Sequence, residues 1–235
     1  MSDNSASTGT NLWSSTEHAV AYLGRAREIP RRVEGETALI ECLPPVVRRV
    51  LDLGTGDGHL LALVLAARPD AKGVALDFSP AMLDRSRARF AGNPRVAIVE
   101  HNLDDPLPRL GGFDAVVSCF AIHHVSHARK HALYAEVFEM LEPGGVFCNL
   151  EHVASPTVRL DDQFLTALGV SPADEDPSNK LLDVYTQLEW LRALGFEDVD
   201  CHWKWRELAL LAGVKGTKSR LQAPGSSLPG SQASR

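Results

Sequence analysis

The sequence lacks the long apolar run that a membrane-spanning helix requires. Its apolar runs end near eight residues, whereas a transmembrane helix needs about 20. Residues 1–12 are polar and lack the basic and apolar segments that are typical of a secretory signal peptide. These two absences predict a cytoplasmic protein without a membrane partner.

Cysteine is scarce, and its four residues are scattered along the chain. Disulfide frameworks and structural zinc sites both depend on recurring cysteine spacings, and no C-x-x-C pair occurs here. We therefore expect small apolar thiols in a reducing compartment and predict no metal site. The cysteines are Cys42, Cys119, Cys148 and Cys201.

Clusters of positive charge are missing as well. The formal net charge is -6 and no lysine- or arginine-rich stripe occurs, which disfavours nucleic acid as the main partner. The chain of 235 residues is 44% hydrophobic, which is enough for one α/β domain with a full core. The sequence leaves the oligomeric state open.

Residues 50–58 contain the strongest local pattern, VLDLGTGDG. A short apolar segment broken only by Asp52 predicts a buried parallel strand, and residues 60–67 continue as a helix. Between them, Gly54, Gly56 and Gly58 permit a tight turn and the close approach of a ligand to the backbone. A dinucleotide-binding turn would carry its third glycine at the position of His59, so the pattern disfavours an NAD(P)-linked oxidoreductase.

A second acidic residue follows at the spacing of a βαβ unit. Residues 73–77 predict a strand that ends at Asp77, 21 residues after Gly56. A carboxylate at this place can accept hydrogen bonds from both hydroxyls of a ribose. Ser79 and Pro80 are expected to begin the next helix as its N-cap and first residue.

The glycine turn resembles motif I of the class I S-adenosylmethionine-dependent methyltransferases, an acidic residue followed by G-x-G-x-G. Across residues 46–215 further features resemble that family in the same order: the strand-two acid, a polar residue after strand three, a Pro-Gly-Gly turn at residues 143–145 and a C-terminal hairpin. The resemblance implies an α/β fold, a Rossmann-like sheet of seven mostly parallel strands with a C-terminal antiparallel hairpin, flanked by helices. It also implies S-adenosyl-L-methionine as the cofactor.

The resemblance further implies which residues contact the cofactor. In the family, an aspartate after strand three accepts a hydrogen bond from the adenine amine. This chain has Asn102 there, whose amide oxygen can still accept, without charge assistance. N-terminal helices cap the cofactor pocket in the family, so that region contributes candidates too. The expected cofactor contacts are Asp52, Gly54, Thr55, Gly56, Gly58, Asp77, Phe78, Met82, Asn102, Leu103, Cys119, Tyr22 and Arg25.

Two histidines are candidates for the catalytic side. The pair His123 and His124 resembles the A-L-H-H-L stretch of many small-molecule methyltransferases, and strand five ends at Glu151 and His152. Adjacent strand residues point to opposite faces, so we select one residue of each pair, His124 and His152. A histidine with a pKa of about 6.5 could act as a general base. A hydrogen-bonded structural histidine is the alternative interpretation.

Residues 13–215 are expected to form a single methyltransferase domain. Residues 13–45 would supply cap helices, and residues 155–185 a lid-like insertion. The polar N-terminus, residues 1–12, and the Gly-, Ser- and Pro-rich tail, residues 216–235, are expected to be disordered.

The predicted function is methyl transfer from S-adenosylmethionine to a small-molecule acceptor. One alternative is a tRNA-modification enzyme, or a protein similar to the carboxy-S-adenosylmethionine synthases, which would need an arginine to hold the extra carboxylate. The other alternative is a protein that binds the cofactor without turnover.

Overall fold

The computed structural model describes residues 29–217. Within this range the chain forms six α-helices and one sheet of seven strands. The helices are α1 (Arg32–Cys42), α2 (His59–Ala67), α3 (Pro80–Arg89), α4 (His127–Met140), α5 (Val158–Leu168) and α6 (Val184–Leu194). The strands are β1 (Arg49–Leu53), β2 (Lys72–Asp77), β3 (Val96–Glu100), β4 (Phe113–Cys119), β5 (Leu141–His152), β6 (Phe196–Trp205) and β7 (Leu208–Lys215).

Several expectations fall outside the described residues. The segment expected to be disordered at residues 1–12 lies there, as do residues 13–28 of the expected cap region and most of the tail, residues 218–235. The expected cofactor contacts Tyr22 and Arg25 also lie outside the described residues.

The strands are ordered β3-β2-β1-β4-β5-β7-β6. Strands β1 to β5 pair in parallel, whereas β7 is antiparallel to both β5 and β6. This arrangement confirms the predicted fold class. Strands β2 and β3 follow one another on one side of β1, and β4 then pairs with β1 on its other side. In open α/β sheets, such a reversal opens a crevice at the carboxyl ends of the strands, where ligands bind.

The sheet separates two apolar cores because successive strand side chains point to opposite faces. Leu51 and Val116 lie in one core, which helices α4 and α6 cover. Their neighbours Val50 and Val117 lie in the other core, which helices α1, α2 and α5 cover. Burial on both faces explains why the central strands are apolar throughout rather than alternating.

Two boundaries differ from the sequence prediction. Within the cap region expected at residues 13–45, the sequence of residues 35–43 is typical of a helix that ends before Pro44, whereas α1 begins three residues earlier, at Arg32. Its N-cap residue Arg31 adopts a left-handed conformation (φ 64°), and the Arg32 side chain donates to Glu36 one turn later. The predicted Pro-Gly-Gly turn forms no separate loop before β5. Leu141 already pairs with Phe113, and the register then jumps, so residues 142–145 bulge out of the strand.

The expected lid-like insertion, residues 155–185, contains α5 and a short 3₁₀ turn at Pro172–Asp174. Among the described residues, no helix is both long enough and apolar enough to cross a membrane.

Candidate active site

A cavity of about 710 Å³ lies where β1, β2 and β4 end. Its volume is within the range of about 300–1,000 Å³ that small-molecule sites occupy. Most of the residues selected from the sequence line it together: Asp52, Gly54, Thr55, Gly56, Asp77, Phe78, Met82, Asn102, Leu103, Cys119 and His124. Two do not. Gly58 lies behind the turn, and His152 is absent from the cavity wall.

The three glycines of the turn have different surroundings, although all have positive φ. A Cβ on Gly54 would lie 2.3 Å from a neighbouring side chain, and one on Gly58 would lie 2.5 Å from the Phe90 ring. A Cβ on Gly56 would meet only the Met82 sulfur, at 3.9 Å. Gly54 and Gly58 are therefore required by protein packing, whereas Gly56 borders open space in the cavity.

Asp77 joins the glycine turn to the end of β2. One carboxylate oxygen accepts from the Gly56 N–H at 2.8 Å, and the other accepts from the Ser79 N–H at 2.9 Å. Burial raises the pKa of Asp77, and these backbone hydrogen bonds oppose the rise. Ser79 occupies the N-cap position as predicted, but its side chain makes no capping hydrogen bond. Asp77 rather than Ser79 therefore orders this corner.

Asp52 is buried at the base of the cavity. Its Oδ2 accepts from the Thr55 hydroxyl at 2.6 Å, while its Oδ1 has no hydrogen-bond partner among the described residues. Burial raises the pKa of Asp52 to about 7, the Thr55 hydrogen bond opposes the rise, and the nearby Asp77 adds to it. The site therefore presents a buried oxygen that is suited to a donor or a cation.

The raised pKa of Asp52 predicts a measurable pH dependence. Between the unfolded value of about 3.9 and the folded value of about 7, the folded protein binds more protons than the unfolded chain. Asp52 therefore lowers the free energy of unfolding as the pH rises through this interval. Asp52→Asn should remove this loss. The melting temperature of the variant minus that of the wild type should therefore become more positive as the pH is raised from about 5 to about 8. A difference that does not vary with pH would contradict the assignment.

A polar group on α1, which the sequence analysis missed, completes another wall of the cavity. Glu36 is buried and accepts from Arg32 at 2.6 Å and pairs with His59 at 3.2 Å. Burial opposes ionisation of Glu36, but the hydrogen bonds from His59 and Arg32 outweigh it and lower its pKa. The four-residue spacing of Arg32 and Glu36 was visible in the sequence, but it carried no information about where the helix packs.

The histidines at the ends of β4 and β5 are held differently. His123 is buried, with its Nδ1 2.6 Å from Glu151. His124 lines the cavity, and its Nδ1 lies 2.9 Å from the Ser178 hydroxyl. His152 packs against Phe164, with ring centroids 5.1 Å apart. Of the two catalytic candidates, only His124 therefore lies at the cavity.

The surroundings of His124 give a different expectation for its protonation. Burial, followed by the neighbouring His123, lowers the pKa of His124 below its ordinary value. A buried imidazole loses the hydration that stabilises its charged form. His124 is therefore neutral at neutral pH and a weaker proton acceptor than a histidine with a pKa near 6.5.

Asn102 lines the cavity beyond β3, next to the buried Leu103. Its amide oxygen accepts from the Asp104 N–H at 3.0 Å. This contact occupies one of the two lone pairs of the oxygen. Within residues 29–217, no group of three or more His, Cys, Asp and Glu residues is arranged to hold a metal ion.

The sequence of the chain is similar to those of known methyltransferases. A profile of the methyltransferase domain family matches residues 50–145. The chain is 33% identical over 172 residues to a demethylmenaquinone methyltransferase of Clavibacter sepedonicus, covering 67% of this chain and 69% of that protein.

Solved structures share the same fold. An O-methyltransferase family protein from Burkholderia thailandensis superposes with a TM-score of 0.66 at 19% identity, covering 88% of this chain and 62% of that one. Human N-acetylserotonin methyltransferase in complex with SAM gives a TM-score of 0.64 at 18% identity, covering 88% of this chain and 58% of that one. The chain spans less than two thirds of the length of both structures.

Proposed function

Since the chain belongs to the class I S-adenosylmethionine-dependent methyltransferases, we propose that it transfers the methyl group to a small-molecule acceptor held beside His124. The observation that carries this proposal is the open space in front of Gly56, bordered by the carboxylates of Asp52 and Asp77. A cationic, sugar-bearing cofactor needs both features, a close backbone approach and acidic partners.

The residues of the cavity fit the cofactor. The oxygen of Asp52 that lacks a partner would accept from the ammonium of the methionine part. Each oxygen of Asp77 accepts one backbone hydrogen bond and has a lone pair left for a ribose hydroxyl. Asn102 and Leu103 would border the adenine.

The bound cofactor supplies an electrophilic methyl group on a sulfonium, which is already a good leaving group. The chain therefore mainly has to align the acceptor with the methyl group and exclude water. The buried side chains Phe120 and Val125 border the cavity beside His124. They would exclude water from the acceptor side, and His124 would orient the acceptor by a hydrogen bond.

A reduced naphthoquinone-type ring is the acceptor class that we favour. The apolar side chains of Phe120 and Val125 line the cavity, and the Arg32 guanidinium lies over the Phe120 ring at 5.7 Å from its centroid. Two similar proteins carry the name demethylmenaquinone methyltransferase. The combination suits a flat aromatic acceptor with a hydroxyl or enolate at its edge.

A radiolabel experiment tests the proposal. The wild-type protein is incubated with methyl-tritiated S-adenosylmethionine in three separate reactions. The first contains reduced demethylmenaquinone, the second a bacterial small-molecule extract and the third unfractionated tRNA. We expect the label in the organic-soluble or small-molecule product, and none with Gly56→Val protein. Label in tRNA, or transfer to neither small-molecule sample, would overturn the small-molecule proposal.

The role of His124 is tested by His124→Ala. Loss of one orienting hydrogen bond costs about 1 kcal/mol, so turnover should fall by about tenfold or less, with unchanged affinity for S-adenosylhomocysteine. The matched control is His131→Ala, because His131 is exposed on α4, where it contacts Trp190. A purely structural His124 would instead give a lower melting temperature and full activity per folded molecule.

A further inference from the structure

The end of the insertion is tied to the turn that carries His123 and His124. We call residues 176–182 the strap. The backbone N–H of Lys180 donates to the His123 carbonyl at 2.8 Å, and its ammonium donates to the His124 carbonyl at 2.6 Å. The Leu182 carbonyl accepts from the N–H of Ala154, just beyond β5, at 3.1 Å. The strap therefore connects the ends of β4 and β5 from outside the sheet.

A chain of side-chain hydrogen bonds runs from the strap to the cavity. The Ser178 hydroxyl lies 2.9 Å from Nδ1 of His124 and donates to Oδ1 of Asp176 at 2.7 Å. The Ser178 N–H donates to the same carboxylate oxygen at 2.9 Å. The hydroxyl and the N–H of Ser178 therefore both donate to Asp176.

The direction of these hydrogen bonds fixes the proton on His124. A hydroxyl has a single hydrogen, so the Ser178 hydroxyl that donates to Asp176 can only accept from Nδ1 of His124. Nδ1 must then carry the hydrogen. Since burial lowers the pKa of His124, the ring is neutral and its Nε2 is the acceptor.

We propose that the strap is a positioning element, in which Asp176 and Ser178 hold His124 as the Nδ1–H tautomer with Nε2 as its acceptor atom. The partner bonded to one imidazole nitrogen decides which nitrogen carries the hydrogen. The insertion would thus act on the active site through His124 rather than only cover it. Nε2 of His124 is buried in this structure, so its use to orient the methyl acceptor, which rests on the proposed function, requires the neighbouring side chains to move when the acceptor binds.

Nuclear magnetic resonance tests the tautomer directly. In protein labelled with ¹⁵N-histidine, long-range ¹H–¹⁵N correlations distinguish a nitrogen that carries hydrogen from one that does not. His124→Gln identifies the signals of His124. We expect wild-type protein, without cofactor or acceptor, to show hydrogen on Nδ1 of His124. Hydrogen on Nε2 would overturn the proposal.

Two variants should move the proton. Ser178→Ala removes the acceptor for Nδ1–H, and Asp176→Ala releases the Ser178 hydroxyl to donate to Nδ1. Both should shift His124 toward the Nε2–H tautomer, whereas Ser178→Thr should retain the wild-type pattern. The matched control is Ser171→Ala, because Ser171 lies in the same insertion and accepts from Ala173 instead. Variants that fold and keep hydrogen on Nδ1 would contradict the proposal.

Kinetics with the acceptor found in the radiolabel assay separate positioning from folding. Ser178→Ala should lower kcat while the KM for S-adenosylmethionine stays unchanged, and Ser178→Thr should restore kcat. An unchanged kcat would exclude a positioning role. The two proposals fail separately: the wrong tautomer overturns the strap inference alone, and absence of methyl transfer by wild-type protein overturns the proposed function alone.

Discussion

Gly56→Val is expected to weaken binding of S-adenosylhomocysteine severely while the protein remains folded. The new side chain would project into the open space where a Cβ meets only the Met82 sulfur, at 3.9 Å. It would therefore displace the cofactor rather than clash with the protein. Overlap of this kind costs about 1–3 kcal/mol or more, which corresponds to a loss of affinity of about tenfold to more than a hundredfold. Calorimetric titration measures the affinity.

The matched control for this variant is Gly92→Val. Gly92 also has positive φ (75°), and a Cβ there would have nothing within 4 Å. Both variants therefore carry the backbone strain of a β-branched residue in the left-handed region, about 1–3 kcal/mol. Both should lose melting temperature, but only Gly56→Val should lose the ligand. Equal affinities in the two variants would show that the turn is only structural.

Asp77→Ala should weaken cofactor binding by about ten- to a hundredfold, since hydrogen bonds to a charged acceptor contribute about 1.5–3 kcal/mol. From the sequence alone, this variant would be expected to leave the fold intact. The structure changes that expectation, because Asp77 also accepts from the N–H groups of Gly56 and Ser79. The melting temperature should therefore fall as well, and affinity alone cannot identify the ribose contact.

A ligand without ribose hydroxyls separates the two effects of Asp77. Wild-type protein should bind the 2′,3′-dideoxy analogue of S-adenosylhomocysteine more weakly than the parent compound, and Asp77→Ala should bind the two alike. Asp84→Ala, which removes an exposed carboxylate on α3, should behave as wild type. A preference for the parent compound that survives in Asp77→Ala would contradict the ribose assignment.

The sequence predicted the parts of the site that depend on local backbone geometry. The glycine turn and Asp77 could be found because a strand, a tight turn and a helix have fixed residue requirements, and the βαβ spacing is nearly constant. The role of each glycine could not be found. Gly54 and Gly58 are enclosed by side chains distant in sequence, such as Phe90, and only the folded chain brings these together.

Residues that reach the site through long-range packing were missed. Glu36 arrives at the cavity because α1 lies close against the sheet at Gly35, where a Cβ would be 2.9 Å from both Leu150 and Trp203. Ser178 reaches His124 across 54 residues of sequence. No periodicity or motif in the sequence predicts either contact.

The assignment of His152 shows a limit of strand alternation. Alternation applies only to extended residues, whereas His123 and His124 lie in a 3₁₀ turn, Ile122–His124, with ring centroids 4.0 Å apart. For residues that do lie in a strand, alternation does not determine which face opens into a cavity and which is covered by a helix. Helix α5 packs Phe164 against His152. Helix α5 lies within residues 155–185, where the sequence offered no motif from which its position could be predicted.

A crystal structure with S-adenosylhomocysteine would show whether this cavity holds the cofactor. We expect the ribose hydroxyls within hydrogen-bond distance of Asp77, the amino acid part along the backbone of Gly56 with its ammonium at Asp52, and the sulfur directed toward His124. A ligand that binds elsewhere, or a ribose that makes no contact with Asp77, would contradict this expectation.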